Sequence, residues 1–419
     1  MAKTLDVYLF KGIAGHLVQD NGGQMTFRYA TAWRESPHAF PLSQSLPLQA
    51  DRFTRKQCRG FFAGILPEES NREIIARNLG ISARNDYSML ERIGGECAGA
   101  VSFLPTGVPL ADETYAYHPL ASQELVAILK ELPNRPLLAG EKGVRLSLAG
   151  AQDKLAVRVE GDQISLPLDG APSTHILKPA IARFEGIVFN EALCMKLASA
   201  VGIATASVEV RQVEDVTFLL VKRYDRVDHD VALEGLPVER IHQEDFCQAL
   251  GIVPELKYQK EGGPSLKDCF SLLRRVSSTP VLDLTRLLDA VIFNYLVGNN
   301  DAHGKNFSLL YPNAGTETPQ IRLTPLYDIV STTYYPELTQ EMAMKIGGEY
   351  SSEKIRMQNF DRLAEETGLT KPLVRRRGAE LADAVLTALP KLDLEDAASG
   401  NVAKLITERT QKAMRIFST

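Results

Sequence analysis

The sequence predicts an α+β fold in two lobes, the first rich in strands and the second mainly helical. Three patterns carry that reading. Short β-prone runs separated by turn signals open the chain, and a strand, loop, strand, helix order follows Arg145. Beyond residue 240 apolar side chains recur with the 3.6-residue period of helices, interrupted by one pair of short apolar runs.

Each element has a local reason. "LDVYLF", "IAGHLV" and "QMTFRY" read as strands, the last two joined by Asp20-Asn21-Gly22-Gly23, a strong hairpin signal. After the Pro-rich loop "SPHAFPLSQSLPL", Ser70 and Glu73 have the spacing of a capping box, so a helix is expected to open there and run through Leu79, stopped by Gly80. Thr106 to Pro136 reads as a polar connector carrying one helix. "DKLAVRV" and "THILKPA" are strands around a turn-rich insert. Asn190 is the expected cap of a helix whose Leu193, Leu197 and Val201 share a face, ending at Gly202. "ASVEVRQV" and "VTFLLVKRY" form two more strands around Glu214-Asp215. "PSLKDCFSLLRRV" and "LDLTRLLDAVIFNYLVGN" are helices, "FSLLY" and "QIRLTPLYDIV" strands, and a helical tail starts near Ser352. The expected parts are a β-rich subdomain over 1–110, a smaller lobe over 111–240 and a helical lobe over 241–419. Their order is that of a bilobal protein-kinase-like fold.

Composition narrows the function. At 419 residues, 44% hydrophobic and 24% charged, the chain is of the soluble globular kind. No apolar run approaches the roughly 20 residues of a membrane span, and the amino terminus lacks the pattern of a signal peptide. Five scattered cysteines with no C-x-x-C pair fit reduced thiols in a cytoplasm. A net charge of −5 argues against unaided nucleic-acid binding, which needs Lys and Arg against phosphates.

The stretch "GNNDAHGKNFSLLY", Gly298 to Tyr311, sets Asp301 and Asn306 five positions apart just before a strand. Phosphoryl transfer asks a protein for a carboxylate on the nucleophile, oxygen ligands for Mg²⁺, a cation on the phosphates and a loop covering them. Protein kinases write the first two as D-x-x-x-x-N with a further metal-binding Asp downstream. Here Asp301 and Asn306 keep that spacing, and Asp328 in "PLYDIV" is expected to end a second strand. Lys178 in "HILKPA" stands on a strand before a helix, as the phosphate-binding Lys of kinases does, with Glu191 as the acid to orient it. The small residues Ala149-Gly150-Ala151 would let backbone N–H groups approach phosphates. Lys222, Arg223 and Tyr224 end the strand that leads to the hinge and are candidates for contacting adenine. Each residue has a plain alternative: turn hydrogen bonds for Asp and Asn, a satisfied loop histidine for His303, a solvated strand end for Lys178, a first-turn acid for Glu191. Their joint order favours phosphotransfer.

With those residues in place, the chain resembles the HipA family of bacterial serine/threonine kinases, toxins of type II toxin–antitoxin pairs. The resemblance rests on "SQSLPL", "LSLAGAQDKLAV", "STHILKP", "NEALCMKLA", "VKRYDR", "HQEDFCQALG", "KYQKEGGP", "GNNDAHGKNFSLLY" and "LTPLYDI", which span nearly the whole chain. It implies ATP and Mg²⁺, Asp301 as catalytic base, Asn306 and Asp328 on the metal, and Lys178 on the phosphates. The covering loop would be Ala149, Gly150, Ala151, Gln152, Asp153 and Lys154, with His303, Gly304, Lys305 and Tyr327 beside the nucleotide. Ser147, by itself an ordinary strand-end serine facing solvent, matches the loop serine that such kinases autophosphorylate. The implied substrate is glutamate–tRNA ligase. The implied partner is a helix-turn-helix antitoxin of HipB type, through which operator DNA is bound. Where the family's type member presents basic side chains to DNA, this chain has Glu365 and Glu366, with Arg375-Arg376-Arg377 nearby. Two other classes stay open: a phosphatidylinositol-kinase-like or small-molecule phosphotransferase, and a catalytically silent co-repressor.

Overall fold

Alternation and turn chemistry build the amino-terminal sheet as expected. β1 (Lys3–Leu9), β2 (Gly12–Gln19) and β3 (Met25–Tyr29) pair antiparallel, and β4 (Val101–Pro105) completes the order β3-β2-β1-β4. The hairpin between β2 and β3 is fixed by Asp20, whose Oδ1 accepts the N–H groups of Gly22 and Gln24, both at 2.9 Å. Phe27, Phe61, Phe62 and Phe103 are all but fully buried, their rings meeting where the helix Arg55–Gly64 covers the sheet.

The computed structural model describes residues 2–108, 110, 115–227, 238–394 and 396–418. Two compact units interleave along the chain. The first comprises Met1–Pro179, Arg211–Pro254 and Leu309–Gln320; the second comprises Ala180–Val210, Glu255–Ser308 and Ile321–Thr419.

The first unit also holds most of a six-stranded sheet. Its strands are β5 (Ala116–Pro119), β6 (Leu155–Glu160), β7 (Gln163–Leu168), β8 (His175–Pro179), β9 (Val208–Val213, of which 211–213 belong here) and β10 (Val216–Lys222), in the order β5-β7-β6-β8-β10-β9. β5 and β7 were not expected. Pro167 breaks the alternation of β7, and β5 sits in a connector with little apolar content, so antiparallel pairing of β7 with β6 and of β5 with β7, not local pattern, makes strands of them.

Helices dominate the second unit. Leu266–Val276 starts at a capping box of Ser265 and Asp268, while Pro280–Val297 has Pro at its first position and ends at Gly298 in the left-handed conformation. Phe293, Leu296, Phe360, Leu363, Val385 and Ile406 pack these against the helices Met357–Thr367, Lys371–Ala388 and Ala397–Phe417. A hairpin of Glu341–Ile346 and Glu349–Ser351 turning at Gly347-Gly348 precedes the helical tail; that strand pair was not expected.

Three local expectations are corrected. The helix Glu69–Leu79 starts before Ser70 with Glu68 as its N-cap, and no side-chain cap forms there. Gly80 does close it, at φ +65°. Asn190 lies inside the helix Ile187–Ala200, whose cap is Gly186; its amide instead exchanges two hydrogen bonds with the backbone of Ser331. "QIRLTPLYDIV" yields only the two-residue strand Arg322–Leu323, because the chain next forms a lone bridge from Leu326 to Thr205.

Candidate active site

In the second unit, the end of Pro280–Val297 sets the loop that carries Asp301. Gly298 turns with φ +73°, and a side chain there would strike Thr333 Oγ1. Arg409 Nη2 donates to Tyr295 O at 3.0 Å, serving one of the carbonyls that a helix end leaves unpaired. Asn299 then bridges helix and loop: its Nδ2 donates to Asn294 Oδ1 at 2.8 Å, and its Oδ1 accepts the Asp301 N–H at 3.1 Å. The Asn300 N–H donates to Thr332 Oγ1 at 2.8 Å, and its carbonyl accepts the N–H of Ala343 at 2.7 Å. A rigid floor therefore presents an exposed Asp301 carboxylate. Its Oδ1 accepts the phenolic O–H of Tyr258 at 2.7 Å.

Three residues on, Gly304–Asn306 form one 3-10 turn with buried side chains. Tyr327 donates its hydroxyl to Lys305 O at 2.7 Å and lies 2.6 Å from the Ser308 hydroxyl, tying the segment before Asp328 to this turn. Asn306 Nδ2 donates to Asp328 Oδ2 at 3.2 Å, while Asn306 Oδ1 is buried without a hydrogen-bond partner among the described residues. Asp328 does not end a strand. It sits at φ +59°, a left-handed conformation that Asp and Asn tolerate best and that clusters at functional sites. A buried orphan amide oxygen beside a carboxylate is a fit for Mg²⁺, which takes oxygen ligands and keeps positions for phosphates. His303 is buried, its ring edge-on to Tyr258 with centroids 5.3 Å apart.

In the first unit, the loop after Ser147 is moored to residues 65–71. Ser147 is fully buried rather than solvent-facing; its hydroxyl donates to Ile65 O at 3.0 Å and its N–H to Glu96 O at 2.9 Å. Gly150 turns at φ +100° and bridges Pro67, and Asn71 Nδ2 donates to Ala151 O at 2.9 Å. Lys154 Nζ folds back on Ala149 O at 2.6 Å. Burial pushes the Asp153 carboxyl above its usual range, and Gln152 stands half-buried before it. Lys178 is buried on β8 opposite Leu219 of β10. Glu191, of the second unit, is likewise buried.

Of the adenine candidates, Lys222 is exposed and Tyr224 donates to Gln243 Oε1. Arg223 is different. Its guanidinium is consumed by Glu96 at 3.0 Å, Ser173 at 2.8 Å and Asp225 at 2.8 and 2.9 Å, so only its backbone is left for a nucleotide. Arg226 and Arg240 also reach Glu96, at 2.9 and 2.6 Å. Burial pushes the Glu96 carboxyl up, but Arg226, Arg240 and Arg223 together hold it below the usual range. Sequence reasoning missed Tyr258, Asn71 and Glu96 as residues that shape these parts. "KYQKEGGP" was the available signal for Tyr258; isolated Asn71 and Glu96 offered none.

An accessible carboxylate and the Asn306–Asp328 pair on the helical unit, and a small-residue loop and a strand lysine on the strand-rich one, are the kinds of parts that a kinase-class phosphotransferase uses. The comparisons agree. Residues 5–104 match the HipA N-terminal domain and residues 146–389 the HipA-like C-terminal domain. The chain is 47% identical over 400 residues to the putative kinase Y4mE of Sinorhizobium fredii, covering 94% of this chain and 92% of that one. It is 30% identical over 417 residues to the serine/threonine-protein kinase toxin HipA of Shewanella oneidensis, with the same coverages. The solved Shewanella HipA, in complex with HipB and operator DNA, superposes with a TM-score of 0.84 at 28% identity, covering 98% of this chain and 96% of that one. This chain belongs to the HipA family.

Proposed function

We propose that this chain transfers the γ-phosphoryl group of ATP to a serine or threonine hydroxyl of a protein, as the toxin of a toxin–antitoxin pair. The observation that carries the reading is the exposed Asp301 carboxylate followed by the Asn306–Asp328 pair with its orphan amide oxygen. Asp301 takes the proton of the attacking hydroxyl as the new oxygen–phosphorus bond forms. The bond from the γ-phosphorus to the bridging oxygen breaks, its electron pair leaving on ADP. Mg²⁺ bound by Asn306 and Asp328 would neutralise phosphate charge. Lys178 and the Ala149–Lys154 loop hold the phosphates, and Lys222, the Arg223 backbone and Tyr224 hold adenine. His303, Gly304, Lys305 and Tyr327 complete the nucleotide site.

The proposed substrate is glutamate–tRNA ligase or another aminoacyl-tRNA synthetase, which places the activity in the cytoplasm. Ser147 is the proposed site of self-inactivation. It is fully buried, and a phosphate adds roughly −1.5 to −2 charge, so modification requires the loop to leave its mooring and disfavours its return. The proposed partner is a HipB-type helix-turn-helix antitoxin that carries most of the DNA contact. In support, all three residues of the basic run are already engaged: Arg375 pairs with Asp361, Arg376 with Glu380, and Arg377 with Asp289 and Glu380. No helix among the described residues is long and apolar enough to cross a membrane.

The test is transfer from γ-labelled ATP to cell extract, lipid vesicles and metabolites offered separately, with mass spectrometry of the chain itself. Label should enter a protein of the extract and Ser147. Asp301→Asn should lower transfer by about 10²–10⁴-fold while MgATP still binds by calorimetry. Label in lipid or metabolite would move the chain to another phosphotransferase class, and no label anywhere would make it a silent co-repressor.

A further inference from the structure

The text "KYQKEGGP" has no task in the reaction as described so far, and the structure supplies one. Tyr258 opens a turn in which the N–H groups of Glu261 and Gly263 both donate to its carbonyl, at 3.0 and 2.9 Å. Gly262 takes φ +106°. At Gly263 a Cβ would run into the Leu256 carbonyl oxygen and lie 2.8 Å from the Lys257 carbonyl, so the turn closes only with glycine there. Two further contacts dock it on the strand Glu341–Ile346: Gln259 Oε1 accepts the Lys345 N–H at 2.9 Å, and Lys260 pairs with Glu341 at 2.7 Å. The Tyr258 ring is held from two sides, with the His303 ring edge-on at 5.3 Å and Lys257 Nζ 5.4 Å from its centroid. The product of this construction is one hydrogen bond, from the phenolic O–H to Asp301 Oδ1 at 2.7 Å.

We infer that Tyr258 is a positioning residue for the Asp301 carboxylate, and that the glycine turn exists to hold it there. This rests on Asp301 being the base. A carboxylate on an exposed loop side chain rotates, and general-base catalysis needs one oxygen on the attacking hydroxyl. A donor fixed to Oδ1 stops that rotation and leaves Oδ2 to take the proton. The acceptor hydroxyl still loses its proton to Asp301, and Tyr258 keeps its own. The His303 ring, at Asp301+2, belongs to the same device, because it packs the face that keeps the phenol in line.

Tyr258→Phe removes the hydroxyl and keeps the ring packing, so it tests position rather than folding. In the full chain, with γ-labelled ATP and cell extract as the acceptor, kcat should fall by about 10- to 100-fold, the order expected from misplacing a catalytic group. KM for ATP, MgATP affinity by calorimetry and Tm should stay at the wild-type values, a split that a merely structural tyrosine would not give. Equal kcat, or a loss of Tm and ATP affinity in step with kcat, overturns the inference. A faster variant does too, since the phenol would then be blocking the acceptor. A wild-type chain that labels nothing fails at the kinase reading itself and takes this inference with it.

Discussion

The polar centre around Glu96 and the one around Asp301 use charge in opposite ways. Around Glu96, two arginines and two carboxylates are buried together beside the half-buried Arg240, and every carboxylate meets a guanidinium, with Asp225 also accepting the Gly99 N–H at 2.7 Å. Around Asp301, the carboxylate is exposed and makes no ion pair among the described residues, and the neighbouring Asn306 keeps a buried oxygen without a partner. Buried charge is stable only when paired, and buried polar atoms are nearly always hydrogen-bonded. Opposite charge packed around buried charge therefore marks the centre that holds the fold, whereas an exposed carboxylate with no ion pair marks the one left open to chemistry. The same contrast explains why Arg223, which adjoins Tyr224 in sequence, serves the first centre.

Breaking the Glu96 centre should have the largest effect on stability. Glu96→Ala leaves three arginines without their shared carboxylate, and loss of one partner of a buried pair typically costs about 3–5 kcal/mol. The expected result is a sharply lowered urea midpoint. Asp301→Asn should leave that midpoint in place while removing activity. If Glu96→Ala melts like the wild type, the two centres do not differ in the way argued.

A third buried centre sharpens the comparison through pH. Glu244 accepts the Tyr311 hydroxyl and the Gln44 N–H, with its Oε2 unpartnered among the described residues. Burial pushes its carboxyl up to about 7 from the usual 4.5. The folded chain thus binds this proton more tightly than the unfolded one. Its stabilisation is complete below pH 4.5 and is lost as pH rises through about 7, a change of about 3 kcal/mol. His242, pushed by burial down to about 4, works in the opposite sense, losing stability as pH falls below its ordinary 6.5. The wild-type curve mixes the two, so the difference is what to measure. Relative to wild type, Glu244→Gln should become more stable by about 3 kcal/mol between about pH 4.5 and 7.5 in urea melts. A constant difference would mean that Glu244 is ionised or exposed throughout.

Legibility followed the same division. Strands with clean alternation, the Asp20 hairpin, and the helices ending at Gly80 and Gly298 were readable because their causes are local. β5, β7 and the hairpin turning at Gly347-Gly348 were not, because pairing partners rather than their own pattern make them strands. At the candidate site, D-x-x-x-x-N and "LYD" pointed to Asp301, Asn306 and Asp328, since short motifs are written in contiguous sequence. What orients them is not. Tyr258 lies 43 positions before Asp301, and Asn190 serves Ser331 from 141 positions away. Asn190 also shows the cost of reading locally: a good capping residue was used instead for a tertiary bond.

The smallest effect should come from the mooring of the phosphate loop. Asn71 is buried near the start of Glu69–Leu79 and holds the loop by side-chain hydrogen bonds, to Ala151 O at 2.9 Å and to the Asp153 carboxyl. The bridge from Pro67 to Gly150 and the bond from Lys154 to Ala149 O remain when Asn71 is removed. A single neutral hydrogen bond contributes about 1 kcal/mol. If the moored loop is the form that binds phosphates, Asn71→Ala should weaken MgATP binding by about fivefold, since nucleotide binding must then order the loop itself. The global urea midpoint should move little, and kcat at saturating ATP should hold, because the role proposed for the loop is on the phosphates and not on the base. Calorimetry with MgATP decides the matter. A fivefold loss makes the mooring part of the nucleotide site, whereas a gain in affinity would mean that the moored loop must release before ATP can enter.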